Sequence, residues 1–173
     1  MTRKGRRLAA DAGDTSAEVD FGQLSQSLGY ALRRAQLAVF KNFRDTFASL
    51  DVTPAQYSVL LVIGRNPGLK QTQVSDALNI KRANFVALID ALERRGLAER
   101  TAATDRRSYA LYLTASGRKL LKTLDALNAV HEDKVAASIG QERRAQLLAL
   151  LSALTAPLDG GEIDDESEMG TAG

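Results

Sequence analysis

Apolar positions recur with a helical period in residues 81–96. Phe85, Leu88, Ile89 and Leu92 share one side of this segment, which is the buried stripe of an amphipathic helix. The first two turns of the opposite side carry small residues around Asn84, where an ordinary solvated face would carry long charged ones. We therefore predict a helix that is buried on one side and can approach a partner closely on the other.

Two predicted helices come earlier in the chain. The first covers residues 21–50 and carries a stripe of apolar residues along one side. The second starts at Thr53, a capping residue, followed by Pro54, which suits the first helical position, and it ends at the turn in residues 66–68. Because this second helix is apolar on nearly all sides, we expect it to be buried.

A short helix in residues 71–78 leads into the helix at 81–96. Asn79 follows it and tolerates the left-handed backbone conformation needed at a helix end. Its predicted inner face consists of Val74, Ala77 and Leu78. A short helix, a tight turn and a second helix with an exposed face of small residues are the parts of a helix-turn-helix.

After Gly96 the period of the apolar positions changes from 3.6 to 2, which predicts two strands at 97–101 and 109–113. The segment between them is polar and carries Arg106 and Arg107. A basic hairpin directly after a helix-turn-helix is typical of a wing, and arginine at its tip can enter the narrow minor groove. The alternative is an exposed tip that only keeps the hairpin soluble.

Two closing helices are predicted at 115–137 and 141–156, the first capped by Thr114. Together with the first helix they carry more apolar surface than the wing domain can cover, and a two-fold homodimer would bury it. The predicted fold is mainly α with a small β-wing, a winged helix-turn-helix that dimerises through its N- and C-terminal helices.

Charge is unevenly distributed along the chain. The net charge is +2, yet residues 159–173 hold six acidic groups and no basic one, while residues 21–158 hold 19 Lys and Arg against 11 Asp and Glu. A basic folded body fits a polyanionic partner. The predicted segments are a disordered N-terminal arm (1–20), an N-terminal dimerisation helix (21–52), a DNA-binding winged helix-turn-helix (53–114), C-terminal dimerisation helices (115–156) and a disordered acidic tail (157–173).

Composition excludes several classes of function. The chain has no Cys and a single His, so we expect no zinc–thiolate or multi-histidine metal site and no cofactor. No apolar run approaches the length of a membrane span, and the basic N-terminus lacks the apolar run of a secretory signal, so we expect a cytoplasmic protein without membrane contact. The absence of a nucleophile with an adjacent base argues against an enzyme. The composition does not exclude a DNA-binding architectural factor without an effector.

The helix-turn-helix and the wing supply candidate contacts to a double-stranded DNA operator. Alanine methyl groups can meet thymine methyl groups, and asparagine can form two hydrogen bonds with adenine. A surface helix that is merely rich in alanine is the alternative interpretation. The candidate DNA-binding residues are Gln71, Thr72, Gln73, Lys81, Arg82, Asn84, Ala87, Arg94, Asp105, Arg106 and Arg107.

The first helix has a second distinctive face, opposite its apolar stripe. It combines Tyr30 with the cations Arg33, Arg34, Lys41 and Arg44 and contains no acidic residue. Arginine presents a planar fork to carboxylate or phosphate, so this face is a candidate anion site. The alternative is a solvated face of long side chains.

The order of these elements resembles the MarR family of bacterial transcriptional regulators over residues 24–156. The most specific motifs are LERRGL (92–97), the wing pair Asp105 and Arg107, and LTASG (113–117). The resemblance implies a homodimer that reads a pseudo-palindromic operator and is released by a small, often phenolic, ligand. It also implies that Arg107 is the minor-groove arginine and Asp105 the carboxylate that orients it. Because the chain has no Cys, the family's peroxide-sensing mode does not transfer.

A narrower resemblance is to the branch that responds to hydroxycinnamates or their coenzyme A thioesters. GYALRRAQLAVF (29–40), TPAQYSVL (53–60) and IGRNPGLKQ (63–71) carry it. It implies a regulator of an aromatic-acid catabolic pathway, expected to be a repressor with an activator as the alternative, and p-coumaroyl-CoA or feruloyl-CoA as the effector. A free phenolic acid or another small molecule is the alternative.

A coenzyme A thioester combines phosphate charges with an apolar acyl end, and therefore needs cations beside an apolar slot. The candidate ligand-binding residues are Tyr30, Arg33, Arg34, Leu37, Phe40, Phe43, Phe47, Tyr57 and His131. For the phenylalanines the alternative is an ordinary core role. His131 could orient a phenol or carboxylate, and the alternative for this residue is a hydrogen-bonded structural role.

Overall fold

The computed structural model describes residues 19–102 and 109–155. The wing tip with Asp105, Arg106 and Arg107 lies outside the described residues, as do the acidic tail and nearly all of the predicted N-terminal arm. The chain divides into two compact units, Met1–Gln36 and Leu37–Gly173.

The described elements confirm a mainly helical fold with a small antiparallel sheet. In chain order they are a 3₁₀ helix (Gly22–Gln26), α1 (Leu28–Phe47), a 3₁₀ turn (Ala48–Leu50), α2 (Pro54–Arg65), α3 (Gln71–Ala77), α4 (Arg82–Arg94), β1 (Ala98–Ala102), β2 (Tyr109–Leu113), α5 (Ala115–Ala137) and α6 (Gln141–Thr155).

The prediction of one unbroken helix over residues 21–50 is wrong at both ends. At the start, Gly22 has a φ of +51° and Ser27 is extended, so a 3₁₀ helix precedes α1. The Asp20 carboxylate accepts a 2.8 Å hydrogen bond from the Gly22 amide, a local bond that competes with helix formation. At the far end the chain tightens into a 3₁₀ turn before Asp51, which has a φ of +47°.

Helix α2 lies at the centre of the second unit's core. Its Val59, Leu60 and Ile63 are fully buried, as the apolar composition predicts, and its capping box joins Thr53 and Gln56. The inner stripe of α4 is confirmed, with Phe85, Ile89 and Leu92 buried and Leu88 packed against them. The same core contains Phe43, Phe47, Val52, Val74, Leu97, Ala98, Leu111, Leu113 and Leu124. Burying each large side chain contributes about 1.5–3 kcal/mol of transfer free energy.

The turn between α3 and α4 has the predicted chemistry. Asn79 adopts a left-handed φ of +50°, and the Ile80 amide donates to the Ser75 carbonyl oxygen at 2.9 Å. The predicted inner face of α3 needs one correction, because Ala77 is exposed and Ser75 is buried in its place. The Ser75 hydroxyl donates to the Thr72 carbonyl oxygen at 2.9 Å, so its burial leaves no polar group unsatisfied.

The base of the wing is an antiparallel pair in which Ala98 faces Leu113 and Ala102 faces Tyr109. Strand β1 begins one residue later than predicted because the Leu97 amide donates to the Leu92 carbonyl oxygen at the end of α4. Gly96 takes a φ of +66° to allow this ending. The chain before α3 also pairs with β2, through a 2.9 Å bond from the Leu111 amide to the Leu69 carbonyl oxygen.

The closing helices begin as predicted, and the Thr114 hydroxyl accepts from the Gly117 amide at 3.0 Å. No residue of α6 is buried within the described chain, and Leu150 is 68% exposed. Among the described residues no single helix is long and apolar enough to cross a membrane, although one bent pair, α1 with its 3₁₀ extension and α2, meets the length and composition criteria together. No cluster of three or more His, Asp or Glu side chains suited to a metal ion occurs there either.

Candidate DNA interface and effector site

The outer face of α4 presents the residues predicted to read DNA. Arg82, Asn84, Ala87 and Arg94 are all exposed, and Lys81 is exposed at the N-terminal cap position. The buried stripe of Phe85, Ile89 and Leu92 holds this face outward. The helix is thus arranged as a recognition helix requires, and the individual DNA contacts stay predictions.

Two of the three candidates on α3 already have intramolecular partners. The Gln71 side-chain oxygen accepts a 3.3 Å hydrogen bond from Nε of Arg100, and the Gln73 side-chain oxygen accepts one of 2.9 Å from the Lys70 amide. Thr72 is exposed on the first turn. The first bond ties the N-terminus of α3 to the wing strand β1, and the second caps α3.

Arg100, on strand β1, is a feature of this surface that the sequence did not suggest. Its Nη1 lies 2.7 Å from a carboxylate oxygen of Asp90 and 2.6 Å from one of Glu93. Its backbone amide also donates to the other Glu93 oxygen at 2.8 Å. One side chain therefore joins the wing to α4 and, through Gln71, to α3.

A cleft of about 560 Å³ opens between α3, α4 and β2 on this side of the molecule. Its wall combines the polar groups of Thr72 and Arg82 with apolar surface from Val86 and Tyr109, both of which are exposed. Sequence reasoning missed Val86 and Tyr109. The alternation of β2 does place Tyr109 on the face opposite Ala110, so that signal was available.

The aromatic candidates of the second unit form one cluster. The Phe43 and Phe47 rings stack with centroids 3.9 Å apart, and Tyr57 lies 6.1 Å and 5.9 Å from them. His131 meets Phe43 edge-on at 5.5 Å. Phe43 and Phe47 are only 4% and 1% exposed, so both belong to the core whether or not they also contact an effector.

Two polar contacts border this cluster. Nδ1 of His131 lies 2.7 Å from Oδ1 of Asn42, and burial lowers the pKa of His131 below its usual 6.5, with Glu132 opposing the shift. The Tyr57 hydroxyl donates to Oδ1 of Asp125 at 3.4 Å, and burial, reinforced by the Asp125 charge, raises the pKa of Tyr57 above 10.0. His131 is therefore hydrogen-bonded, as expected if its role is structural.

Helix α1 carries the remaining ligand candidates. In the first unit the Arg34 guanidinium lies 5.9 Å from the centre of the half-buried Tyr30 ring, a cation–π distance, and Arg33 is exposed. In the second unit Leu37 is exposed and Phe40 is half-buried. The cations Lys41 and Arg44 of the same helix are also exposed.

Comparison with known proteins identifies the family. A model of the MarR family matches residues 50–108, which include the helix-turn-helix and strand β1 and end just before β2. A proposed transcriptional regulatory protein for the hcr operon of Thauera aromatica is 35% identical over 140 residues, covering 80% of this chain and 84% of that protein. The chain belongs to the MarR family. The predicted family is thereby confirmed.

Solved structures of the MarR-family repressor CouR are also similar to this chain. CouR bound to a 23-mer DNA duplex is 47% identical, with a TM-score of 0.77, and covers 80% of this chain and 99% of its own. CouR bound to p-coumaroyl-CoA is 44% identical, with a TM-score of 0.76 and the same coverage. These MarR-family relatives are transcriptional regulators, so the prediction of a DNA-binding regulator rather than an enzyme is confirmed.

Proposed function

We propose that this MarR-family protein represses an aromatic-acid catabolic pathway and leaves its operator when it binds a hydroxycinnamoyl-CoA, such as p-coumaroyl-CoA. The observation that carries the proposal is the combination, within the second unit, of the exposed cations Lys41 and Arg44 with the buried Phe43–Phe47 pair. The structure of CouR bound to p-coumaroyl-CoA, which is 44% identical to this chain, supports the choice of effector. Like other regulators that act on a bacterial operator, the protein would work in the cytoplasm.

DNA recognition would follow the exposed surface of the second unit. Helix α4 enters the major groove, where Asn84 pairs with adenine and Ala87 approaches a thymine methyl group. Lys81 and Arg82 contact phosphates or guanine, Arg94 contacts a phosphate, and Arg107 of the wing tip reaches the minor groove. The amino terminus of α3, with Thr72, meets the backbone.

The protein would bind its operator as a homodimer. Large apolar residues of α6, including Leu147, Leu148 and Leu150, are exposed in the single chain, as are Leu24 and Leu28 near the N-terminus. Mutual burial across a two-fold axis removes both surfaces from water and matches the symmetry of a pseudo-palindromic operator. Under this proposal residues 21–52 and 115–156 are the dimerisation segments, and residues 53–114 are the DNA-binding domain.

The effector would bind along α1. The aromatic acyl end inserts at the cluster of Phe43, Phe47 and Tyr57, with Phe40 and Leu37 as further apolar contacts. The His131–Asn42 and Tyr57–Asp125 pairs offer hydrogen-bond partners for a phenol. The phosphates meet Arg33 and Arg34, since guanidinium groups bind phosphate through two parallel hydrogen bonds.

Release requires a difference in affinity between two states. The thioester must bind the DNA-incompetent arrangement more tightly than the competent one, because equal affinity shifts no equilibrium. A ten-fold loss of DNA affinity corresponds to a coupling free energy of about 1.4 kcal/mol, within the range that effectors commonly provide.

The DNA part of the proposal is tested with a duplex selected from a random pool on the wild-type protein. Asn84→Ala should lose about 1–3 kcal/mol of binding free energy at particular base pairs, the usual cost of losing a bidentate base contact. Arg94→Gln is the control and should weaken selected and shuffled duplexes alike. Failure of the wild-type protein to enrich any sequence would contradict the proposal.

The effector part is tested by thermal shift against aromatic acids and their thioesters. Stabilisation by a hydroxycinnamoyl-CoA is expected. A protein that selects DNA and responds to none of these compounds would be a DNA-binding factor without an effector of this class.

A further inference from the structure

The Arg100 side chain is the junction of three elements at the DNA-facing side of the second unit. It extends from strand β1 to Asp90 and Glu93 on α4 and to Gln71 on α3, at 2.6–3.3 Å. The Arg100 side chain is 20% exposed, whereas Asp90 is 51% exposed. An arginine on the face of a DNA-binding protein would ordinarily be assigned to phosphate contact, and this geometry argues otherwise.

The contacts of Arg100 are directed inward. Nη1 is shared between two carboxylates, and Nε is donated to the Gln71 side-chain oxygen. Its backbone amide is bonded to Glu93 as well, which fixes the start of the wing strand against α4. A phosphate contact by the same guanidinium would have to break these bonds and leave two carboxylates without their cation, a costly exchange in a partly desolvated site.

The negative charges of Asp90 and Glu93 must also be neutralised for this surface to bind DNA. Asp90 lies on the outer face of α4, eight residues after Arg82, so it points toward the same partner as the recognition residues. An uncompensated carboxylate there repels the phosphate backbone. Arg100 neutralises this charge from within the protein.

We propose that Arg100 is a positioning residue for operator recognition. It holds the wing and α3 against the recognition helix and neutralises Asp90 and Glu93, and it makes no phosphate contact of its own. This inference rests on the DNA-binding function proposed above.

The test compares affinity for a selected duplex with affinity for a shuffled duplex of the same composition. Arg100→Gln should lower the ratio of the two affinities at least ten-fold, because specific recognition needs the aligned helix and wing. The slope of log affinity against log salt should change little. Arg94→Gln, which removes the same charge from an exposed position, should weaken both duplexes equally and lower that slope by about 1.

A second variant guards against misfolding of Arg100→Gln. Asp90→Asn combined with Glu93→Gln leaves Arg100 in place and removes two negative charges, so simple electrostatics predicts tighter binding to both duplexes. The positioning role predicts instead a lower ratio of selected to shuffled affinity.

Two results would overturn the inference while leaving the proposed function intact. One is a parallel loss for both duplexes in Arg100→Gln with a slope reduced by about 1, as for Arg94→Gln. The other is an unchanged affinity ratio in the double variant. If the wild-type protein selects no duplex, the proposed function itself fails.

Discussion

The Arg95 guanidinium donates a 2.6 Å hydrogen bond from Nη1 to the backbone carbonyl oxygen of Asp51. Its Nη2 donates to the Leu50 carbonyl oxygen at 3.0 Å. Arg95 stands at the C-terminal cap of α4, and the two acceptors lie in the connection between α1 and α2, where Asp51 is left-handed. The end of the recognition helix is thereby tied directly to the segment that leaves α1.

This tie predicts that Arg95→Gln destabilises the second unit. Two charge-assisted bonds to backbone oxygens are lost, and because the site is exposed we expect about 1 kcal/mol in the free energy of unfolding. Urea denaturation measures this change in the free energy of unfolding. The neighbouring Arg94 is exposed and has no side-chain bond within the described part of the chain, so Arg94→Gln should change stability by less than about 0.5 kcal/mol. Equal losses in the two variants would contradict the assignment.

Gly117 is predicted to tolerate no side chain. A Cβ at this position would collide with the carbonyl oxygen of Leu97, where the wing strand begins. The Thr114 hydroxyl also bonds to the Gly96 carbonyl oxygen at 2.6 Å, so α5 and the base of the wing are closely joined. Gly117→Ala should lower the free energy of unfolding by about 3 kcal/mol. Ser116→Ala, at an exposed position on the same turn, should change it little. Thermal and urea unfolding distinguish them, and a Gly117→Ala protein of wild-type stability would refute this packing.

His131 makes stability depend on pH. Burial lowers its pKa in the folded state below the usual 6.5, so the unfolded chain takes up a proton first as the pH falls. Its contribution to stability is fully present above about pH 6.5 and is lost as the pH falls through the lower folded-state pKa. In denaturant titrations the wild-type protein should lose more stability between about pH 7.5 and pH 5.5 than His131→Gln does. Parallel pH profiles would exclude this role for His131.

Leu150 tests the homodimer. Its side chain is 68% exposed on α6, and a dimer that buries this helix would lose affinity if a charge were placed there. Leu150→Lys should shift the mass measured by light scattering at micromolar concentration toward the monomer. Ala145→Lys adds the same charge on the side of α6 away from Leu150 and should leave the dimer largely intact. A monomeric wild-type protein would contradict the proposed assembly.

The elements that sequence reasoning predicted well are those set by local chemistry. Thr53 and Thr114 cap their helices through bonds within one turn, and Asn79 and Gly96 take the left-handed conformations that their positions require. Such features depend on residues a few positions apart, and are therefore visible in the sequence.

The missed features depend on contacts between elements. Arg100 meets Asp90 and Glu93 only because the hairpin folds back on α4, and no periodicity encodes that approach. Phe43 and Phe47 lie on an apolar stripe that is equally compatible with a core and with a ligand slot. Their 3.9 Å stacking is a property of the folded cluster.

In the proposed switch a coenzyme A thioester, rather than its free acid, drives release from DNA. The direct measurement titrates p-coumaroyl-CoA, p-coumarate and coenzyme A separately into protein bound to its selected duplex, with fluorescence anisotropy as the readout. Release should occur with p-coumaroyl-CoA at concentrations at least ten-fold below those of p-coumarate, because only the thioester joins an aromatic end to phosphates. Arg33→Ala with Arg34→Ala should abolish that advantage and leave DNA affinity largely unchanged. Equal potency of thioester and acid, or release by neither, would contradict control of this protein by a hydroxycinnamoyl-CoA.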